Sequence, residues 1–125
     1  MLRGFEDADA LLAERKRTHE STSPFGCGDD LGDLSLESYE PFPFMKPIVP
    51  GAYGGVYEFR TYPFKISGGY ARTVQNWENA LPERGKFSDC LIAMRALDGV
   101  PRFLNIWPYE DIAARSRIRA DSVAA

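Results

Sequence analysis

The sequence predicts an α+β fold, a ferredoxin-like sandwich, and three observations carry that expectation. The first is residues 54–64, Gly-Gly-Val-Tyr-Glu-Phe-Arg-Thr-Tyr-Pro-Phe. Two flexible glycines, a run of aromatic and β-favouring residues and a proline stop read as one strand. The second is the order of elements from Val56 onward: strand, helix, strand, strand, helix, which is most of a split βαβ unit. The third is Asp98-Gly99, a strong hairpin signal between two strand-like runs.

Length and composition bound the answer. A chain of 125 residues makes one domain. Its 44% hydrophobic and 26% charged content allow a real core. A net charge of −3 argues against a nucleic-acid-binding surface but leaves room for a small basic pocket. No apolar run reaches membrane-spanning length, so no membrane span is expected. The first residues turn acidic at once, unlike a secretory signal. Cys27 and Cys90 lack metal-type spacing, and free thiols in a reduced, cytoplasmic setting are the simpler reading than one disulfide.

The elements follow in order. Residues 5–19 read as a helix, with Asp7 as N-cap and Ala8, Leu11 and Leu12 as its apolar stripe. Residues 14–18 are charged and expected to be solvated, and residues 21–33, rich in Ser, Pro, Gly and Asp, form a loop. Leu34, Leu36 and residues 39–45 suggest a strand that Pro41 and Pro43 confine to a sheet edge. Residues 46–51 read as a linker. After the strand at Val56, residues 67–69 turn into a helix with Tyr70, Val74, Trp77 and Leu81 on one stripe, ended by residues 82–85. Those side chains read as core rather than as a cofactor box. Residues 90–97 and 102–107 are the hairpin strands, Pro108 is the stop, and Asp111 caps a last helix over residues 112–121.

The strand at Val56 has two unlike faces. Tyr57, Phe59 and Thr61 point one way; Val56, Glu58, Arg60 and Tyr62 point the other. The first set is expected to pack under the helices, with Phe59 against Trp77. The second set places an acid, a base and a phenol in a row, and Asn105 and Trp107 share one face of a later strand and could join them.

The chain also repeats itself. Residues 2–10, Leu-Arg-Gly-Phe-Glu-Asp-Ala-Asp-Ala, align with residues 106–114, Ile-Trp-Pro-Tyr-Glu-Asp-Ile-Ala-Ala. Each copy has an aromatic residue, then Glu-Asp, then a helix. A window cut across a tandem duplication accounts for this, with residues 1–50 as the C-terminal part of a first unit and 51–125 as a second unit lacking its last strand. The segment at 34–45 is then expected to fill the place of that missing strand.

Residues 56–62, Val-Tyr-Glu-Phe-Arg-Thr-Tyr, resemble the opening strand of NIPSNAP-family domains. Residues 105–119, Asn-Ile-Trp-Pro-Tyr-Glu-Asp-Ile-Ala-Ala-Arg-Ser-Arg-Ile-Arg, resemble the family's strand-then-helix block with its Trp, Asp and spaced arginines. Arg3-Gly4-Phe5 with Asp7 is similar to the same block of a preceding unit. The resemblance implies a ferredoxin-like fold of the dimeric α/β-barrel type, in which two sheets face each other with helices outside. It brings no agreed catalytic residues. Related barrels include cofactor-independent monooxygenases and haem-degrading enzymes, by analogy of fold alone.

The candidate ligand-binding residues are therefore Glu58, Arg60, Tyr62, Asn105 and Trp107, expected to face the barrel interior, with Val56, Tyr62 and Trp107 on the uncovered sheet face. Arg60 could hold an anionic or carbonyl group that Glu58 orients; alternatively the two form a structural ion pair at a dimer interface. His19 is the single histidine, and with no Cys-x-x-Cys the sequence calls for no metal and no cofactor. Cys27, between two glycines, has no nearby base. Arg115, Arg117 and Arg119 could bind an anion, although a solvated helix face is the simpler reading, and Asp111 can pair with Arg115 four residues on. Two functions follow. One is a homodimeric module that binds a small apolar or anionic molecule or serves in assembly. The other is a cofactor-independent oxygenase or isomerase that surrounds an aromatic substrate with Tyr62, Asn105 and Trp107.

Overall fold

The structure, a computed structural model, describes residues 1–125 and divides into two compact units, Met1–Leu36 and Glu37–Ala125. The first unit is built on helix α1 (Ala8–Glu20). Asp7 caps it, its carboxylate accepting from the Ala10 N–H at 2.8 Å. Glu14 is not solvated as the sequence suggests: it takes Arg17 at 2.6 Å and Arg3 at 2.7 Å. Thr18 is buried and donates to the Glu14 carbonyl, while Leu12 is exposed, so the helix buries a different stripe from the one its leucines mark. Two short 3₁₀ turns, Pro24–Gly26 and Gly28–Asp30, follow.

The second unit is an open, four-stranded antiparallel sheet with two helices. Its strands are β1 (Tyr39–Pro41), β2 (Val56–Pro63), β3 (Ile92–Ala96) and β4 (Arg102–Tyr109), in the order β1-β3-β4-β2. The helices are α2 (Gly69–Arg84), which runs on through Pro82, and α3 (Ile112–Ala124). The β3–β4 hairpin turns at Gly99, whose φ of +65° suits glycine. Arg102 clasps that turn by donating to the carbonyls of Asp98 and Val100 at 2.8 and 2.9 Å. Gly54 and Gly55 have a steric reason: a Cβ on either would sit 2.5 Å from the carbonyl oxygen of Tyr109 or Glu110. Pro108 does not stop β4, which continues to Tyr109. Its position faces the β3 side, past the last pair Ile92–Ile106, so its missing N–H costs the ladder nothing.

The two sheet faces decide the rest. One carries Phe103, Asn105, Trp107 and Ala93 and lies under α2, with Tyr70, Val74 and Trp77 packed on Phe42 and Phe103. By register Glu58 stands opposite Trp107 and Arg60 opposite Asn105, so the polar row of β2 shares this helix-covered face. The other face carries Ile92, Met94, Leu104 and Ile106, against which Tyr39, Met45 and Ile48 pack. Phe59 pairs with Ile106 and Thr61 with Leu104, so these side chains continue that second face, which neither α2 nor α3 covers.

This reverses the orientation expected of β2. Phe59 is 58% exposed and does not pack on Trp77, whose neighbours are Phe42, Phe103 and Trp107. Trp107 is 2% exposed beneath Trp77, so it is not on the uncovered face, and the uncovered aromatic row is Tyr57 and Phe59 instead of Val56, Tyr62 and Trp107. The polar row turns inward because α3 brings arginines to neutralise it.

The strand before the linker is shorter and elsewhere than expected. It spans three residues, and Leu34 is exposed. In a complete ferredoxin-like unit the last strand lies beside the first, which here is β2. β1 instead pairs with β3 at the opposite edge. Phe42 fixes it there: its N–H donates to the Ala93 carbonyl at 2.9 Å, and its ring, 1% exposed, meets Phe103, Tyr70 and Trp77. The edge position of Pro41 is as the sequence suggests. The outer edge of β2 has no neighbouring strand in the sheet.

Candidate functional site

Glu58 is the centre of the polar cluster on the helix-covered face. From its own strand, Arg60 reaches it with Nε at 3.1 Å and a second nitrogen at 3.2 Å. From α3, Arg115 grips it with both prongs of its fork, Nε at 3.0 Å and Nη2 at 2.6 Å. Arg119, one turn further along α3, adds a longer contact at 3.4 Å. Asp111 starts this helix by accepting from the Ala114 N–H at 2.6 Å, so it caps α3 and does not pair with Arg115. With Arg115 fixed by the cap one turn earlier, the guanidinium is aimed at β2.

The electrostatics follow from that geometry. Arg115's hydrogen bonds, working against partial burial and helped by Arg60, hold the Glu58 carboxyl down at about 2. Glu58 in turn raises the pKa of Arg115. Glu58 is therefore a fixed anion and not a proton donor or acceptor near neutral pH.

Beneath this pair lies Trp107. Its Nε1–H donates to Asn105 Oδ1 at 2.6 Å, and Asn105 Nδ2 donates to the Arg60 carbonyl at 3.3 Å, so fully buried Asn105 is satisfied on both ends. The guanidinium groups of Arg60 and Arg84 lie 5.8 and 5.0 Å from the Trp107 ring centroid. Tyr62 stands apart from this group, stacked on Phe103 with centroids 5.4 Å apart.

Of the five residues the sequence singles out, the structure thus gathers Glu58, Arg60, Asn105 and Trp107 and leaves Tyr62 beside the aromatic core. It adds Arg84, which the sequence reading missed, and Arg115 and Arg119, which that reading favoured as a solvated helix face. The available signal was the four-residue spacing of Arg115 and Arg119, which puts both on one side of a helix.

A NIPSNAP family model matches residues 57–125, more than half of the chain. The chain belongs to the NIPSNAP family. The matched span of this NIPSNAP domain takes in nearly all of β2 together with α2, β3, β4 and α3, and so holds Glu58, all four arginines and Trp107. No curated protein and no solved structure matches the chain.

The other reactive side chains take no part in the hydrogen bonds around Glu58. Cys27 and Cys90 are free thiols. Burial pushes the Cys90 thiol up to about 11, and its S–H points at the Ile92 carbonyl at 3.3 Å. His19 lines an open cleft of the first unit with Arg15, Thr18 and Ser21. No group of three or more His, Cys, Asp or Glu side chains is placed to hold a metal ion. No helix is long and apolar enough to cross a membrane.

Proposed function

We propose that this NIPSNAP domain is a homodimeric binding module, in which two copies of the sheet meet through the face that its helices leave open. The observation that carries this reading is the exposed aromatic pair on that face. Tyr57 is 39% and Phe59 58% exposed, Tyr57 opposite Pro108 and Phe59 opposite the buried Ile106. An aromatic row that continues a core face is the kind of patch a partner covers. Small apolar molecules suit the space between two such faces. Glu58 and Arg60 serve as ligand-facing groups on the other side of the sheet, held from beneath by Asn105 and Trp107.

Two further readings go with this one. Residues 1–50 are taken as the end of a first NIPSNAP-like unit and 51–125 as a second. The support is that α1 and α3 are both 13 residues long and are capped alike, by Asp7 and Asp111. A reducing compartment such as the cytoplasm suits the two free thiols.

The test is the oligomeric state. Light scattering of the full chain should give a dimer. Phe59→Glu should give a folded monomer, because a charge on that face would be buried unpaired in the pair. A wild-type monomer at micromolar concentration, or a Phe59→Glu variant that stays dimeric, would overturn the proposal.

A further inference from the structure

We infer that the arginine cluster around Glu58 is a binding site for a phosphoryl group. The inference rests on reading Glu58 and Arg60 as ligand-facing, and it names the chemistry they serve. Arg60, Arg115 and Arg119 all converge on one carboxylate, and none of the three has another ion-pair partner. Three cations against one anion leave two positive charges concentrated at one spot on a chain whose net charge is −3. A structural ion pair needs one guanidinium for one carboxylate; the surplus is what such a pair does not explain.

The donors are also only partly used. Arg115 spends Nε and Nη2 on Glu58, while Arg119 offers a single long contact. The rest of the Arg119 fork carries no hydrogen bond to the protein and its side chain is 43% exposed, so it faces solvent with its donors free. Arg115 and Arg119 lie four residues apart on α3, so their outer edges stand side by side. Guanidinium forks in that arrangement match the tetrahedral oxygens of a phosphoryl dianion, whose charge equals the surplus.

A second observation points to the same place. The Tyr109 hydroxyl, on the same sheet face, is buried and has no hydrogen-bond partner. Tyr109 lies in the neighbourhood of Arg115. A buried phenol without an acceptor is costly, so an acceptor brought to this part of the sheet face would be favoured. Arg84, stacked over Trp107 and free of any carboxylate, adds to the local positive field.

The experiment is a phosphate titration of the full chain at constant ionic strength, followed by thermal unfolding and calorimetry, with chloride as the matched control. Inorganic phosphate should bind saturably and raise Tm. Arg119→Gln, which keeps the Glu58–Arg115 fork, should weaken phosphate binding about tenfold, the effect of losing one charge-assisted contact. Glu58→Gln removes the internal competitor, so the folded variant should bind phosphate more tightly than wild type; should that variant not fold, the Arg119→Gln comparison decides alone. Glycerol phosphate binding as inorganic phosphate does would assign the group to a soluble ester. Co-sedimentation with phosphatidate vesicles, lost in Arg119→Gln, would assign it to a lipid headgroup. A Tm that follows ionic strength alone, or an unchanged affinity in Arg119→Gln, would overturn the inference. With the dimer intact, either result would leave the module reading standing.

Discussion

Replacing Phe42 by alanine tests why β1 sits where it does. The ring is 1% exposed and contacts Phe44, Tyr70, Trp77 and Phe103 at centroid distances of 5.7 to 6.4 Å, mostly edge-to-face. Removing a fully buried phenylalanine costs about 3–5 kcal/mol. Each lost edge-to-face pair adds about 0.5–1.5 kcal/mol beyond area, while the half-buried partners can close part of the cavity. About 4 kcal/mol is the expected loss, a large share of the about 5–15 kcal/mol that holds a domain together. Urea unfolding followed by tryptophan fluorescence is the assay, because Trp77 and Trp107, the two tryptophans, both lie in this unit and Trp77 touches the deleted ring. With a urea slope of about 2 kcal/mol per molar, the midpoint should fall by about 2 M. A fall under about 0.5 M at unchanged slope would mean that the aromatic cluster does not anchor β1.

Two other perturbations follow from the same geometry. Because the folded Glu58 carboxyl is held at about 2, below its ordinary 4.5, its stabilisation is complete above pH 4.5 and drains away as pH falls toward 2. Wild type should therefore exceed Glu58→Gln by about 2 kcal/mol at pH 7, a figure reduced for the solvent that reaches Arg115 and Arg119, and the gap should close between pH 4.5 and 2; a gap that stays constant there would place the effect elsewhere. Gly54→Ala would drive a Cβ to 2.5 Å from the Tyr109 carbonyl oxygen and should cost about 1–3 kcal/mol in the same urea assay, with a neutral result showing that the 109–110 turn gives way.

Much of this fold is readable from residues alone because the signals are local. Asp-Gly fixes a tight turn wherever it lies between strands, Asp7 and Asp111 cap helices through atoms three residues away, and the four-three-four spacing from Tyr70 to Leu81 marks a half-buried stripe, of which Tyr70, Val74 and Trp77 pack on the core. What a single strand cannot carry is the sign of its two faces. Alternation separates Tyr57 and Phe59 from Glu58 and Arg60, but aromatic residues look like core whichever way they point. Only the arrival of Arg115 and Arg119 from a helix more than fifty residues away makes the charged face the inner one. The NIPSNAP resemblance was legible for a related reason: its two blocks, β2 and the β4–α3 corner, are the segments that meet at Glu58. The edge chosen by β1 was not legible, because Pro41 bars it from the middle of a sheet without saying which rim it joins.

The placement of β1 also sets an order of events in time. β3 and β4 meet across a turn of a few residues, and β2 joins β4 over a separation of roughly fifty; β1 must find β3 across a similar distance, with the whole of α2 between them. Local pairs cost the least chain entropy to close, so the hairpin forms early, and a three-residue strand has too few bonds to hold on before Phe42 finds its cluster. β1 should then dock after the rate-limiting barrier. In kinetic terms Phe42→Ala should speed unfolding and leave the refolding rate nearly unchanged, whereas truncating Phe103 in the hairpin should slow refolding. Until β1 docks, the sheet is a three-stranded ribbon with both rims bare, and it is in that interval, more than in the finished molecule, that Pro41 and Pro63 matter: each withholds an N–H from any second chain that tries to add itself to the ladder.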